Sequence, residues 1–229
     1  MKISNKPLEG TGMVSLRTRK RLVERLTEQG IDDIRVLEAI LDIPRHKFID
    51  EALSSRAYDD LALPIGHSQT ISQPYIVAKM TEELIKHEKF SQKPLNNVLE
   101  IGTGCGYQTA ILSRFSKNIT TIERIKSLQN NAKKNLKELS IHNVKYINDD
   151  LSSIYGKNYK FDSILSAAAP KEVPLELKSL LHSGGKLIIP VGKENQQLLT
   201  LITRNSETDF SEKVIEKVFF VPLLSGVVS

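Results

Sequence analysis

The chain has 229 residues, with 32 lysines and arginines against 27 aspartates and glutamates, a net charge of +5, 40% hydrophobic and 26% charged residues. That balance is ordinary for a globular protein large enough to bury one substantial core, carrying an appendage or split into two small domains. No stretch approaches the roughly 18 continuous apolar residues of a membrane span, residues 1–12 lack the apolar centre of a signal peptide, and a single cysteine, Cys105, excludes an internal disulfide, so a cytoplasmic location is expected.

Residues 1–12 are polar and are expected to be disordered. Helical periodicity begins at residues 14–29, ending before Gly30. A second helix starts from Asp32 or Asp33, turns Ile34, Leu37, Ile40 and Leu41 inward, and stops at Pro44. The first helix holds the one compact basic cluster, Arg17, Arg19, Lys20 and Arg21. It reads as a solvated face opposite Leu22, Val23 and Leu26 rather than as a nucleic-acid contact. An irregular stretch over 61–73 follows, with Pro64, Gly66 and Thr70-Ile71-Ser72-Gln73-Pro74. A third helix is then predicted from Pro74 to His87, since proline suits a first turn and Ile76, Val77, Met80 and Leu84 recur at helical spacing.

From residue 95 the pattern alternates. Apolar, β-rich runs fall at 97–101, 118–122, 144–147, 161–165, 186–191, 198–203 and 214–221, and helical segments at 106–116, 126–139 and 174–182, with a weak crossing over 151–159. Strands separated by helices imply a parallel sheet with right-handed crossovers, and the last two, lacking a helix between them, an antiparallel hairpin. The expected fold is α/β, a mostly parallel seven-stranded sheet with helices on both faces. Its division is a 1–12 extension, a helical subdomain with a substrate loop over 13–94, and a ligand-binding domain over 95–229.

Val98 to Leu112 carries the chemistry. A buried strand ends on Glu100, turns on Gly102, Gly104 and Gly106, and enters a helix, with Glu123 about 20 residues on after a second apolar strand. A carboxylate there can accept hydrogen bonds from both hydroxyls of a ribose. Glu100 beside the turn is a poor neighbour for a pyrophosphate and a good one for a cation. S-adenosylmethionine, with its sulfonium and ammonium, fits that field. Asp150, or else Asp149, is either an acceptor for the adenine amino group or the cap of the next turn. The five histidines have no metal-ligand spacing, so no metal is expected.

The fourth strand leads into Ser166-Ala-Ala-Ala-Pro170, without the Asn/Asp-Pro-Pro-Tyr that amino-group methylation commonly uses, and the lone thiol lies inside the glycine turn. An acceptor that is already ionised needs neither. A carboxylate with a pKa of about 4 is one, and its reaction depends on positioning. Thr70 and Ser72 offer neutral hydroxyls for that work; Ser72 equally suits the N-cap of the helix at Pro74.

Gly66-His-Ser-Gln-Thr-Ile-Ser-Gln-Pro-Tyr-Ile-Val-Ala-Lys-Met-Thr-Glu82 followed by Val98 to Tyr107 resembles the protein-L-isoaspartate O-methyltransferases. Thr121 to Arg124, Gly184 to Gly192 and Phe220 to Leu223 extend the likeness, from about Met13 to the end. The resemblance implies a Rossmann-like methyltransferase fold and methyl transfer from S-adenosylmethionine to the α-carboxyl of L-isoaspartyl residues in damaged proteins. The resulting ester collapses to a succinimide that partly reopens as aspartate. It places Glu100, Gly102, Thr103, Gly104, Gly106, Glu123, Asp150 and Leu151 in the cofactor pocket, and Ser72 with Thr70 at the catalytic position. A monomer without nucleic-acid or membrane partners is expected. Departures are Ser68 for a usual glycine, Asp149 and Leu151 for glycines around Asp150, Ala167 for a frequent threonine, and Phe219 for a common arginine. Alternative readings are a methyltransferase for RNA or a small molecule, and a cofactor-binding module without turnover.

Overall fold

A computed structural model describes residues 14–86, 93–193 and 195–228. The expected disordered extension and the end of the third helix at His87 lie outside the described residues. The chain forms two compact units, one up to Lys79 and one from Met80.

The first unit opens with α1 (Leu16–Glu28) and α2 (Ile34–Asp42). Asp33, not Asp32, is the cap of α2, its carboxylate accepting the Arg35 N–H at 2.9 Å. Leu22 and Leu26 of α1 are buried as expected, but so is Arg19, whose guanidinium lies 5.8 Å from the centre of the Tyr58 ring. The basic cluster is therefore not wholly a solvated face. Arginine's apolar stem and weakly hydrated, delocalised charge let it stack on an aromatic ring while Arg17, Lys20 and Arg21 stay exposed. In α2 the buried stripe is Val36, Leu37, Ala39 and Ile40, while Ile34 is exposed and Leu41 half-buried, so the inward face is rotated from the expected one.

Two short 3₁₀ turns, Arg45–Phe48 and Glu51–Arg56, lead to an antiparallel hairpin of β1 (Leu63–Gly66) and β2 (Gln69–Ile71) where an irregular stretch is expected. Its turn residues, His67 and Ser68, have φ of 52° and 56°. That is the backbone of a two-residue hairpin turn normally written Asn-Gly, which explains the weak sequence signal. α3 (Pro74–Ile85) follows and carries the division between the units. Its first turn is tied by Asp60, which accepts the Tyr75 N–H at 2.8 Å through one oxygen and the Gln73 amide at 2.9 Å through the other.

The second unit is built on seven strands: β3 (Leu95–Ile101), β4 (Ser116–Ile122), β5 (Val144–Ile147), β6 (Phe161–Ser166), β7 (Leu181–Val191), β8 (Gln197–Arg204) and β9 (Phe210–Val218). Their order is β5-β4-β3-β6-β7-β8-β9, parallel through β7 and antiparallel beyond it, so the expected sheet and terminal hairpin are both present. Chain order reverses between β3 and β6, the switch point where open sheets of this kind hold ligands. Connections run through α4 (Tyr107–Ser113), α5 (Lys126–Glu138), α6 (Leu175–Ser179) and a 3₁₀ turn at Leu151–Ile154.

β7 begins five residues before the run at 186, and the helix expected over 174–182 shrinks to α6. Gly185 permits this, since a Cβ there would stand 2.9 Å from the His182 carbonyl and 3.1 Å from that of Asp162. β9 ends at Val218 instead of reaching 221, because the Gln197 side chain clasps the backbone of Phe220, accepting its N–H at 2.6 Å and donating to its carbonyl at 3.0 Å. Leu99, Ile101, Ile164, Leu187, Ile189 and Ile202 pack with Leu177 and Leu180 as one core. No helix among the described residues is long and apolar enough to cross a membrane.

Candidate active site

The glycine turn is laced to the end of β4, with the Gly102 and Thr103 N–H groups both donating to the Ile122 carbonyl, at 2.9 and 3.3 Å. Gly102, Gly104 and Gly106 have φ of 88°, 53° and 91°, in the region that side chains avoid. They do different work. Gly104 donates its N–H to Glu123 Oε2 at 2.9 Å. Gly106 opens α4 where a Cβ would lie 3.2 Å from that of Ala132 and 3.3 Å from Leu136, so its bareness lets α4 pack closely on α5. Cys105, between them, is buried and its carbonyl accepts from the Asn135 amide at 3.1 Å.

Glu123 is held from both sides. Oε2 takes Gly104, and Oε1 accepts the Ile125 N–H at 2.9 Å. Each oxygen keeps a lone pair, so a nearly buried carboxylate of fixed orientation stands next to the turn, still able to accept from two hydroxyls.

Glu100 is enclosed rather than presented. It has no solvent exposure, and Thr109 and Thr121 each donate to its Oε2 at 2.6 Å. The Thr103 and Thr121 hydroxyls are 2.7 Å apart, and with the Thr121 proton committed to Glu100, Thr103 is the donor. Oε1 has no hydrogen-bond partner among the described residues. Burial lifts the Glu100 pKa to about 7, the two threonine hydrogen bonds hold it down in part, and the charge of Glu123 adds to the rise. Such an acid can act on a cation through its field, not through direct contact from an open crevice. Thr121 was legible in principle, since it stands opposite Glu100 on the adjacent strand, but only once the register is known.

Beyond β5, Asp149 accepts the Asp150 N–H at 2.8 Å. Asp150 caps the 3₁₀ turn, one oxygen taking both the Ser152 N–H at 2.9 Å and its hydroxyl, the other accepting the Gly226 N–H at 2.6 Å. The Ser152 hydroxyl first, then Gly226, holds this carboxyl below its ordinary range. The Leu151 side chain lies in the core. After β6, Ser166 is buried with its hydroxyl donating to the Ala168 carbonyl at 2.7 Å.

In the first unit, Thr70 is exposed on β2 and Ser72 half-buried between β2 and α3. The capping bond to the Tyr75 N–H comes from Asp60, a residue with no local sequence signal because it acts from 15 residues upstream.

The sequence model of the family described as Protein-L-isoaspartate(D-aspartate) O-methyltransferase (PCMT) matches residues 17–228. The chain belongs to that family. It is 49% identical over 225 residues to a protein-L-isoaspartate O-methyltransferase of Cellvibrio japonicus, covering 98% of this chain and 99% of the relative. To one of Saccharophagus degradans it is 52% identical over 221 residues, covering 96% and 97%. Among solved structures, a Plasmodium falciparum chain assigned as a protein-L-isoaspartate O-methyltransferase, in complex with S-adenosyl-L-homocysteine, superposes with a TM-score of 0.78 at 30% identity, covering 91% of this chain and 99% of that one.

Proposed function

We propose that the chain repairs proteins by transferring a methyl group from S-adenosylmethionine to the free α-carboxyl of L-isoaspartyl residues, giving an ester that returns through a succinimide toward aspartate. Near full-length likeness to family members at about half identity carries this reading. The turn fits the cofactor: Glu123 is fixed by two backbone amides with acceptor capacity left over, and Glu100 adds a second carboxylate whose Oε1 is bare and buried. When bound, S-adenosylmethionine supplies an electrophilic methyl on a sulfonium.

The protein's own task is orientation. Glu123 takes the ribose hydroxyls, Gly102, Thr103 and Gly104 admit the ligand along bare backbone, and Asp150 with the Leu151 backbone borders the adenine. A nearby cation draws the Glu100 pKa down and strengthens the negative field. The acceptor carboxylate, with a pKa of about 4, is ionised at neutral pH, so no general base is required. Thr70 and Ser72 are the neutral hydroxyls that would orient its oxygen, by hydrogen bonds that leave its charge intact. Residues 13–94 serve the acceptor and 95–229 the cofactor. The protein acts in the cytoplasm, as a monomer, on damaged proteins and peptides and not on nucleic acid; withdrawal of Arg19 onto Tyr58 weakens the one basic cluster that suggested an RNA substrate.

The test offers one peptide in isoaspartyl and aspartyl versions with labelled S-adenosylmethionine. Base-labile label on the isoaspartyl version alone is expected. Equal labelling of both, or alkali-stable label on RNA, overturns the reading.

A further inference from the structure

Residues 58–61, between the second 3₁₀ turn and β1, are fastened at both ends within the first unit. The Arg25 guanidinium of α1 donates to the Tyr58 carbonyl at 2.5 Å, and the Tyr58 hydroxyl lies 2.7 Å from His46 Nδ1. Arg45, which is fully buried, donates to the Leu61 carbonyl at 3.0 Å. Asp60 sits on this base and is met by three donors. Its Oδ1 accepts the Tyr75 N–H at 2.8 Å. Its Oδ2 accepts the Gln73 side-chain amide at 2.9 Å and that of Gln29, the residue that ends α1, at 3.0 Å.

A carboxylate only accepts, so both glutamines turn their NH₂ groups to Asp60 and the orientation of each amide is set. The consequence falls on the residue that precedes Gln73. Ile71, before Ser72, is buried, and Gln73 and Tyr75, after it, are held by one carboxylate. Ser72 therefore stands between two fixed points, one apolar and one ionic. Because Asp60 supplies the cap of α3 from 15 residues upstream, the Tyr75 N–H does not draw on the Ser72 oxygen, as it would if the serine were the cap. An ordinary cap secures a helix. This one also secures the segment before it, since Gln73 lies outside α3.

We propose that Asp60 is a positioning residue for methyl transfer: through Gln73 and Tyr75 it fixes the backbone of Ser72, and with it the place of the hydroxyl that orients the acceptor carboxylate. The inference rests on the reading that Thr70 and Ser72 orient that carboxylate. With both of its oxygens engaged by amides, Asp60 acts through them and not on the acceptor. Hydrogen bonds to an ionised group are stronger than neutral ones, which suits a carboxylate to this hold. The hold matters because a misplacement of about 1 Å can cost about 100-fold in a reaction that depends on orientation.

The test measures kcat and KM for an isoaspartyl peptide at saturating S-adenosylmethionine, S-adenosylhomocysteine affinity by calorimetry, and the melting midpoint. It compares the full chain with Gln73→Met, Asp60→Asn, the two combined, and Asp33→Ala. Methionine keeps the length of Gln73 without its amide, and asparagine at 60 keeps an oxygen for Tyr75 while turning an amide on the two glutamines. Each single variant is expected to lower kcat about tenfold with cofactor affinity unchanged. The combined variant should lose no more than the worse single one, because both remove the same bond. Asp33→Ala removes a cap of the same kind from α2, and is expected to lower the melting midpoint at least as far as Gln73→Met does while kcat stays. That split supports the proposal. Unchanged kcat in Gln73→Met, losses that multiply in the combined variant, or kcat falling in step with the midpoint across all variants, Asp33→Ala included, overturns it. If Asp60→Asn fails to fold, Gln73→Met still decides. Ser72→Ala in the same assay guards the underlying reading. Should it slow transfer while Gln73→Met does not, only the role of Asp60 falls; should it turn over at the full rate, the assignment of the acceptor site itself falls.

Discussion

Two turns of this chain bend through left-handed backbone by opposite means. The turn after β3 uses three glycines and fastens the middle one to a carboxylate; the hairpin between β1 and β2 forces His67 and Ser68 into the same region with side chains attached. Glycine in the first case yields bare backbone of fixed shape. In the second the backbone strain is accepted, and it stores a small amount of energy at the base of the segment that carries Thr70 and Ser72.

The contrast breaks most violently at Gly104. Gly104→Val puts a β-branched side chain at a φ of 53° and crowds the amide that holds Glu123, so cofactor affinity should fall at least about 100-fold by calorimetry. Retained binding would mean that the turn does not face the ligand.

Next is Glu100, the acid sealed behind the turn. Its pKa is about 7 in the fold and 4.5 unperturbed, so between those values the folded state binds more protons than the unfolded one, and stability falls as pH rises through that window, by up to about 3 kcal/mol. Denaturant titrations of the cofactor-free protein from pH 4.5 to 8 should show this slope, and Glu100→Gln should flatten it. An identical slope in the variant would assign it to other groups.

Ser72→Ala is expected to slow methyl transfer about tenfold at saturating cofactor while leaving S-adenosylhomocysteine affinity unchanged, since Asp60 holds the start of α3 without it. Full specific activity with lowered stability would make Ser72 a structural residue. The smallest effect is at the hairpin itself. Ser68→Gly removes a Cβ at a φ of 56° and should shift stability by no more than about 1 kcal/mol, relief of strain being offset by the looser unfolded chain. A larger loss in a melt would show that the serine side chain holds the turn.

The parallel sheet was legible because short β-rich segments alternate with helical ones, and the glycine turn because its spacing and the acid after the next strand leave few alternatives. Features that depend on residues far apart were not. Asp60 reaches α3 from 15 positions away, Thr121 meets Glu100 only through strand register, and Arg19 looks solvated until Tyr58 is beside it. The hairpin escaped because His-Ser carries no turn signature. For the same reason nothing in residues 222–228 signals their bonds to the residues that follow β4, β5 and β6.

Cys105 gives the molecule a built-in reporter. It is the chain's sole sulfhydryl and lies buried between Gly104 and Gly106, so a mild alkylating reagent can reach it only during moments when that loop loosens. The speed of its labelling counts those moments. Anything that grips the loop will slow the count, and the protein can be followed this way without tag, dye or assay of turnover.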